Sequence, residues 1–254
     1  MRHLRVLGGY IRNFFLLWLA WRSFAFTLAA NQAVTPLIGL AVWSTALPGH
    51  RLTDYYVVML IVRLLTVSYE NHTFSNRIYN GELADELLRP HPVVLQPLGE
   101  NLALRIWHLL IGLPLLLGLL LFVPLELRAA HLAWALPALL LAAVLRFLFT
   151  FALALTAFWT ERAHSAVTLG GTLLFLLGGE AVPVPLLPPG LRPWATALPF
   201  RAMSGFPAEL AVGQLGPMEA LWGYLSQLIW LVLLAAICTA VWRAGVRRYT
   251  VVGG

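Results

Sequence analysis

Long apolar runs, separated by short arginine-bearing segments, make up most of this chain. A bilayer core takes about 20 consecutive apolar residues per helix. Six runs meet that length, at about 24–46, 54–75, 97–123, 131–160, 164–182 and 219–243. The pattern predicts an all-α polytopic membrane protein with six transmembrane helices. Residues 1–254 show no internal repeat, no low-complexity tract and no linker long enough to divide them, so a single transmembrane domain is expected.

The first 23 residues read differently. Leu4, Leu7, Ile11, Phe14, Phe15 and Trp18 fall on one helical face, while Arg2, Arg5 and Arg12 lie elsewhere. That pattern suits a helix lying in the membrane interface. The alternative is one long tilted helix over residues 14–43. Arg12 and Arg22 break up the early apolar run and no A-x-A site follows it, so no cleavable signal peptide is expected.

Composition agrees with the pattern. The chain is 60% hydrophobic and 11% charged, against about 45–50% and about 25% in soluble domains. Every one of its 17 basic residues is arginine. A phosphate-gripping P-loop needs its lysine, so no such ATPase site is expected. Cys238 is the sole cysteine, which excludes an internal disulfide and a cysteine-cluster zinc site. The seven histidines show no metal-ligand spacing, so no metal is expected.

With the N-terminus inside, the cytoplasmic segments hold nine arginines and the external segments four (Arg51, Arg128, Arg192 and Arg201). That bias puts both termini in the cytoplasm, as an even number of spans requires. Residues 76–96 then form a charged cytoplasmic loop, and residues 183–217 a proline-rich external segment.

Within the loop, Glu82, Asp85, Glu86 and Arg89 share one helical face, Leu83, Leu87 and Leu88 occupy another, and Pro90 stops the helix. This is either a solvated connector or a short contact helix with its acidic face toward the cytoplasm. In the external segment, Pro183 and Pro185 forbid a continuous helix, yet Trp194, Leu198, Phe200 and Phe206 are too apolar for an ordinary exposed loop. Either short helices dip into the outer leaflet or the segment packs on the outer surface. Irregular backbone at membrane depth must be covered by protein or line a cavity.

Asn31, Gln32, Arg63, Arg146 and Glu180 fall inside apolar runs. Intramembrane polar groups are costly and face a partner or a cavity. Their roles stay open between structural glue and a translocation path, with Glu180 or Glu100 as partners for Arg63 and Arg146.

The stretch Ile78-x-x-Gly81-Glu82-Leu83-Ala84-x-x-Leu87-Leu88-Arg89-Pro90 resembles the signature of a family of bacterial ABC-2-type transport permeases. Three looser segments fit the same family: Ala157 to Glu161; Pro183-x-Pro185 with Leu198-Pro199-Phe200 and Phe206-Pro207-Ala208; and Trp242 to Tyr249 with Gly253-Gly254. The resemblance covers nearly the whole length. It implies six helices per subunit, an interfacial N-terminal helix, a cytoplasmic coupling helix between spans two and three, and partly inserted external helices before span six.

It further implies an exporter subunit in the bacterial inner membrane, with two permeases and two ATP-binding subunits per transporter. It implies too that the second permease is a different chain. ATP and Mg would be held by the ATPase partner, with no cofactor bound here and no nucleic acid among the partners, only membrane lipid. The coupling contact would fall to Ile78, Gly81, Glu82, Leu83, Asp85, Glu86, Leu88, Arg89 and Pro90. Two other classes compete. One is a polytopic enzyme acting on lipids, for which Glu161 with His164 makes no convincing catalytic cluster. The other is a non-transporting scaffold.

Overall fold

The computed structural model describes residues 2–46, 52–123, 125–160 and 164–249. They form an all-helical bundle with no strand among the described residues. Helix α1 (Arg2–Ala20) is followed by α2 (Arg22–Ala46), with only Trp21 between them. Hydrogen bonds from Trp21 N to Leu17 O and from Ala25 N to Trp21 O bridge the junction, so helical hydrogen bonding continues across it. α1 has no buried residue and lies along α6 (Leu95–Leu120), where Phe15 stacks on Trp107 at 5.1 Å and accepts its indole N–H at its carbonyl.

The expected second span is two helices, α3 (Leu52–Thr66) and α4 (Glu70–Tyr79), interrupted at residues 67–69. Together they form the centre of the bundle: 72% of the most apolar window of Leu52–Tyr79 is buried, against 17% for the peripheral Pro217–Val246. Small residues bring the neighbours in. Ala25, Ala29 and Ala33 make a buried stripe on α2, and Gly112 of α6 admits the Leu64 side chain.

A short α5 (Leu83–Leu87) precedes α6. α7 (Ala129–Leu155) ends in a 3-10 turn at Thr156–Phe158 and packs along the final helix, α12 (Pro217–Val246). Between them come α8 (His164–Leu177), a 3-10 turn at Val184–Leu186, α9 (Arg192–Ala197), α10 (Pro199–Met203) and α11 (Gly205–Ala211).

Among the described residues, five helices are long and apolar enough to cross a membrane, where the apolar runs predict six. The difference is the fifth run, 164–182. Its helix is 14 residues, or roughly 21 Å at about 1.5 Å per residue. It stops because Gly179 takes the left-handed conformation at φ 85°, Ala181 N turns back to Phe175 O at 3.0 Å, and Pro183 follows. The space beyond is filled by α10 and α11, and residues 202–212 are buried throughout. Ser204 donates to Gly178 O at 2.8 Å, while Phe206 lies so close to Gly223 of α12 that any side chain there would collide with its ring.

Candidate functional site

Three groups of residues carry the chemistry of this bundle. The first is on the segment that joins α4 to α6. Gly81, at φ 83°, lets the chain double back from α4 into α5, a conformation that a side chain would strain. Leu83 is inserted beside Phe74, Ile78, Phe151 and Leu155, with Phe158, Trp242 and Tyr249 packed against the same cluster. The ends of α7 and α12 thus form a platform for α5.

The outward face of this helix differs from the one the spacing predicts. Glu82 and Asp85 are exposed as expected, and so are Arg89 and Pro90. Leu88 is 85% exposed, not laid against the membrane side, and Leu87 is also exposed. Glu86 is buried. It accepts from Tyr10 Oη at 3.2 Å and pairs with Arg89 Nη1 at 3.3 Å. Arg89 in turn donates to Tyr10 Oη at 3.0 Å, and His91 Nε2 lies 3.3 Å from the same oxygen. Burial raises the Tyr10 pKa, although the hydrogen bond from Arg89 pulls the other way. The bond to Tyr10, with the charge of Glu86, raises that of Arg89. Glu82, Asp85 and Leu88 are therefore on the exposed side of α5, and Glu86 is an internal tether to α1. No local spacing could find Tyr10, which is 76 residues away from its acceptor.

The second group lies in the interior. Of the five polar residues singled out inside apolar runs, four meet. Arg63 Nη1 pairs with Glu180 Oε2, and Arg146 Nη1 with Glu180 Oε1 at 3.4 Å. Arg63 Nη2 donates to Gln32 Oε1 at 3.2 Å, and Gln32 Nε2 to Tyr69 Oη at 2.9 Å. Asn31 is exposed on α2, and no hydrogen bond joins it to this network among the described residues. Glu100 belongs elsewhere, pairing with Arg77 at 3.1 Å.

A neighbouring set closes the interruption of α3 and α4. Asn101 Nδ2 and Arg105 Nε both donate to Val67 O at 3.1 Å, and Arg105 Nη2 reaches Ala143 O at 2.7 Å. A helix broken within an apolar core frees backbone groups that must be satisfied by protein, and α6 supplies the donors. Glu70, at the start of α4, accepts from Thr150 at 2.6 Å. Sequence reasoning passed over Arg105 and Glu70, though a charge inside an apolar run is the signal that marks both.

The third group is in the segment after α8. Pro183, Pro199 and Phe200 are buried, Leu198 is half-buried and Pro185 is exposed. Trp43 Nε1 and Tyr56 Oη both donate to Ala181 O at 3.0 Å, and Tyr55 Oη to Gly179 O at 2.8 Å. Arg201 grips the fully buried Glu209 through both oxygens, at 3.3 and 3.1 Å from Nε. This ion pair joins α10 to α11 and was not foreseen. Glu161, suggested with His164 for an enzyme reading, lies outside the described residues, as do Gly253 and Gly254.

The family described as ABC-2 family transporter protein matches residues 16–253. No curated protein matches the chain significantly.

Proposed function

The chain belongs to the ABC-2 transporter family, and from that membership we propose that it is the membrane-spanning permease subunit of an ATP-driven exporter. Members of this family are transmembrane components that associate with ABC ATP-binding subunits and are generally not catalytic themselves. In our reading, two such ATPases bind the transporter and hold its ATP and Mg, and a second permease, a different chain, completes the membrane body. The protein resides in the bacterial inner membrane with both termini in the cytoplasm. α8 serves as a shortened fifth crossing, and α9 to α11 are the external helices that dip back into the outer half of the bundle.

The observation that carries this reading is the mounting of α5. Work from an ATPase has to cross at a rigid element touching both bodies. α5 is anchored by Leu83 on α7 and α12 and by Glu86 on α1, with Glu82, Asp85 and Leu88 left facing outward. Rocking of an ATPase against that face would shift the populations of inward- and outward-open states. Ile78, Gly81, Arg89 and Pro90 shape and tether the helix. Arg63, Arg146, Glu180 and Gln32 belong to the translocation path.

Co-purification tests the proposal. The ABC ATPase encoded beside this chain should be retained by the tagged permease, and the complex should hydrolyse ATP. Hydrolysis by the purified chain alone, or failure to retain that ATPase, would defeat it.

A further inference from the structure

The first acidic residue of the chain is Asp54. Arg2, Arg5, Arg12, Arg22 and Arg51 all precede it, so α1 carries positive charge with nothing of the opposite sign on the same segment. Arg2, Arg5 and Arg12 are exposed and pair with no carboxylate among the described residues. Arg5 and Arg12 are two turns apart and share one side of α1. Tyr10, which holds Glu86, is roughly 150° away from both at about 100° per residue. One side of the helix therefore grips α5, and the other presents two unpaired guanidiniums.

The surface between the two arginines is bare. Gly8 and Gly9 occupy that interval, and a side chain at either would touch nothing. Leu16 and Leu19 follow within two turns of Arg12 on the same side, and both are exposed. Tyr10 lies against Gly99 and Phe15 against Trp107, so α1 runs beside the opening turns of α6, a helix long and apolar enough to cross a membrane. Exposed charge beside the start of a crossing helix, with exposed leucines further along, matches the order of a phospholipid, head and then chain.

We propose that this side of α1 binds anionic phospholipid of the cytoplasmic leaflet, with the phosphate heads at Arg5 and Arg12 and the chains along Leu16 and Leu19, and that occupancy is passed to α5 through Tyr10. A zwitterionic head brings its own cation to the arginines and gains less. Heads that fix α1 hold Tyr10 in place, and Tyr10 with Arg89 fixes Glu86 on α5. Lipid charge then sets how firmly Glu82, Asp85 and Leu88 are held toward an ATPase. This rests on the permease reading, which puts the N-terminus at the inner leaflet, and adds control by lipid to it.

The full chain, with Cys238→Ser and a bimane label on Gly9→Cys, is placed in phosphatidylcholine nanodiscs. Quenching is compared for doxyl-labelled phosphatidylglycerol and doxyl-labelled phosphatidylcholine at equal mole fractions. The anionic lipid should quench at about fivefold lower mole fraction, the effect of one basic residue beside an anionic surface. Arg5→Gln with Arg12→Gln should bring the two lipids level, and Arg5→Lys with Arg12→Lys should keep the preference. Arg243→Gln with Arg247→Gln, at the end of α12, should leave it unchanged. All four side chains are exposed, so the fold should survive. For α5, a nitroxide on Leu88→Cys reads local order in discs with and without phosphatidylglycerol. The anionic lipid should slow its motion, and Arg5→Gln with Arg12→Gln should abolish that response. Tyr10→Phe should abolish it too while keeping the lipid preference at Gly9.

Equal quenching by the two lipids, a preference that survives Arg5→Gln with Arg12→Gln, or its loss in the α12 variant would each overturn the binding surface. Relief of the quenching by glycerol 3-phosphate in solution would overturn the lipid in favour of a free phosphate. A Leu88 label that ignores the anionic lipid, or that responds equally in Tyr10→Phe, would overturn the route through Tyr10. None of these measurements needs an ATPase. Failure to retain the ATPase with the lipid preference intact therefore defeats only the permease reading, and the reverse result only this one.

Discussion

Tyr10 donates its phenolic hydrogen to Glu86 at 3.2 Å, although the two are 76 residues apart. The bond joins α1 to α5, and Arg89 closes it by donating to Tyr10 and pairing with Glu86. Tyr10→Phe removes a hydrogen bond to a charged acceptor that is buried, a loss of about 1.5–3 kcal/mol. Glu86→Arg is worse, because it sets a second cation beside Arg89. We expect thermal unfolding of the purified chain at lower temperature in Tyr10→Phe and poor membrane levels in Glu86→Arg. Wild-type melting in both variants would show that the tether contributes nothing.

The two arginines on Glu180 make a second, asymmetric prediction. Glu180→Ala strands both guanidiniums in the interior, and breaking a buried pair in this way costs about 3–5 kcal/mol. Arg146→Gln strands nothing, since Arg63 keeps its carboxylate. Melting of the two variants in the same detergent should therefore separate clearly, with Glu180→Ala far below Arg146→Gln. Equal melting temperatures would mean that the carboxylate does not hold the network together.

Much of this architecture is legible in the chain. Apolar run length placed the five helices that are long and apolar enough to cross a membrane to within a few residues, and the cost of intramembrane charge pointed to Gln32, Arg63, Arg146 and Glu180, which meet. What was missed depends on distant partners. Thr66-Val67-Ser68-Tyr69 contains no proline or glycine, so nothing local announces a break there. The break is held by Asn101 and Arg105 from another helix. Likewise, spacing along α5 groups Glu86 with Glu82, and only the fold shows that Tyr10 has claimed it. The end of α8 is a different matter. Gly178-Gly179 and Pro183 are signals in plain view, and they end the helix within a run that apolar length alone takes as a full span.

Topology can be checked directly. Asn80 is exposed at the end of α4, and Gly190 has open space where a side chain would stand. Single cysteines at these positions, in a Cys238→Ser background, should react with a membrane-impermeant maleimide from opposite sides. Cys238 is buried, with its Sγ 3.3 Å from Leu148 O, so the serine fits with little disturbance. In intact cells only Gly190→Cys should label, and in inverted vesicles only Asn80→Cys. Labelling of both from outside would overturn the cytoplasmic placement of α5.

The final prediction concerns the face that α5 leaves free. Glu82 and Asp85 are exposed and fall about one turn apart, with Leu88 one turn further on. A basic groove on the ATPase would be attracted to this edge, and Leu88 would supply the apolar centre of the contact. Glu82→Arg with Asp85→Arg turns that attraction into like-charge repulsion, which costs several kcal/mol across an interface. Because neither side chain is buried, insertion and melting should match wild type, in contrast to Glu86→Arg, which acts on the tether. Leu88→Asp should weaken the contact by the same route without altering the fold. The measurement is retention of the ABC ATPase on tagged permease at equal membrane levels, together with the ATP hydrolysis of the eluted complex. Loss of the ATPase from the double variant, with the chain still folded, is the result expected of a coupling helix. Full retention with full hydrolysis would reduce α5 to a solvated connector and move the contact to another cytoplasmic surface.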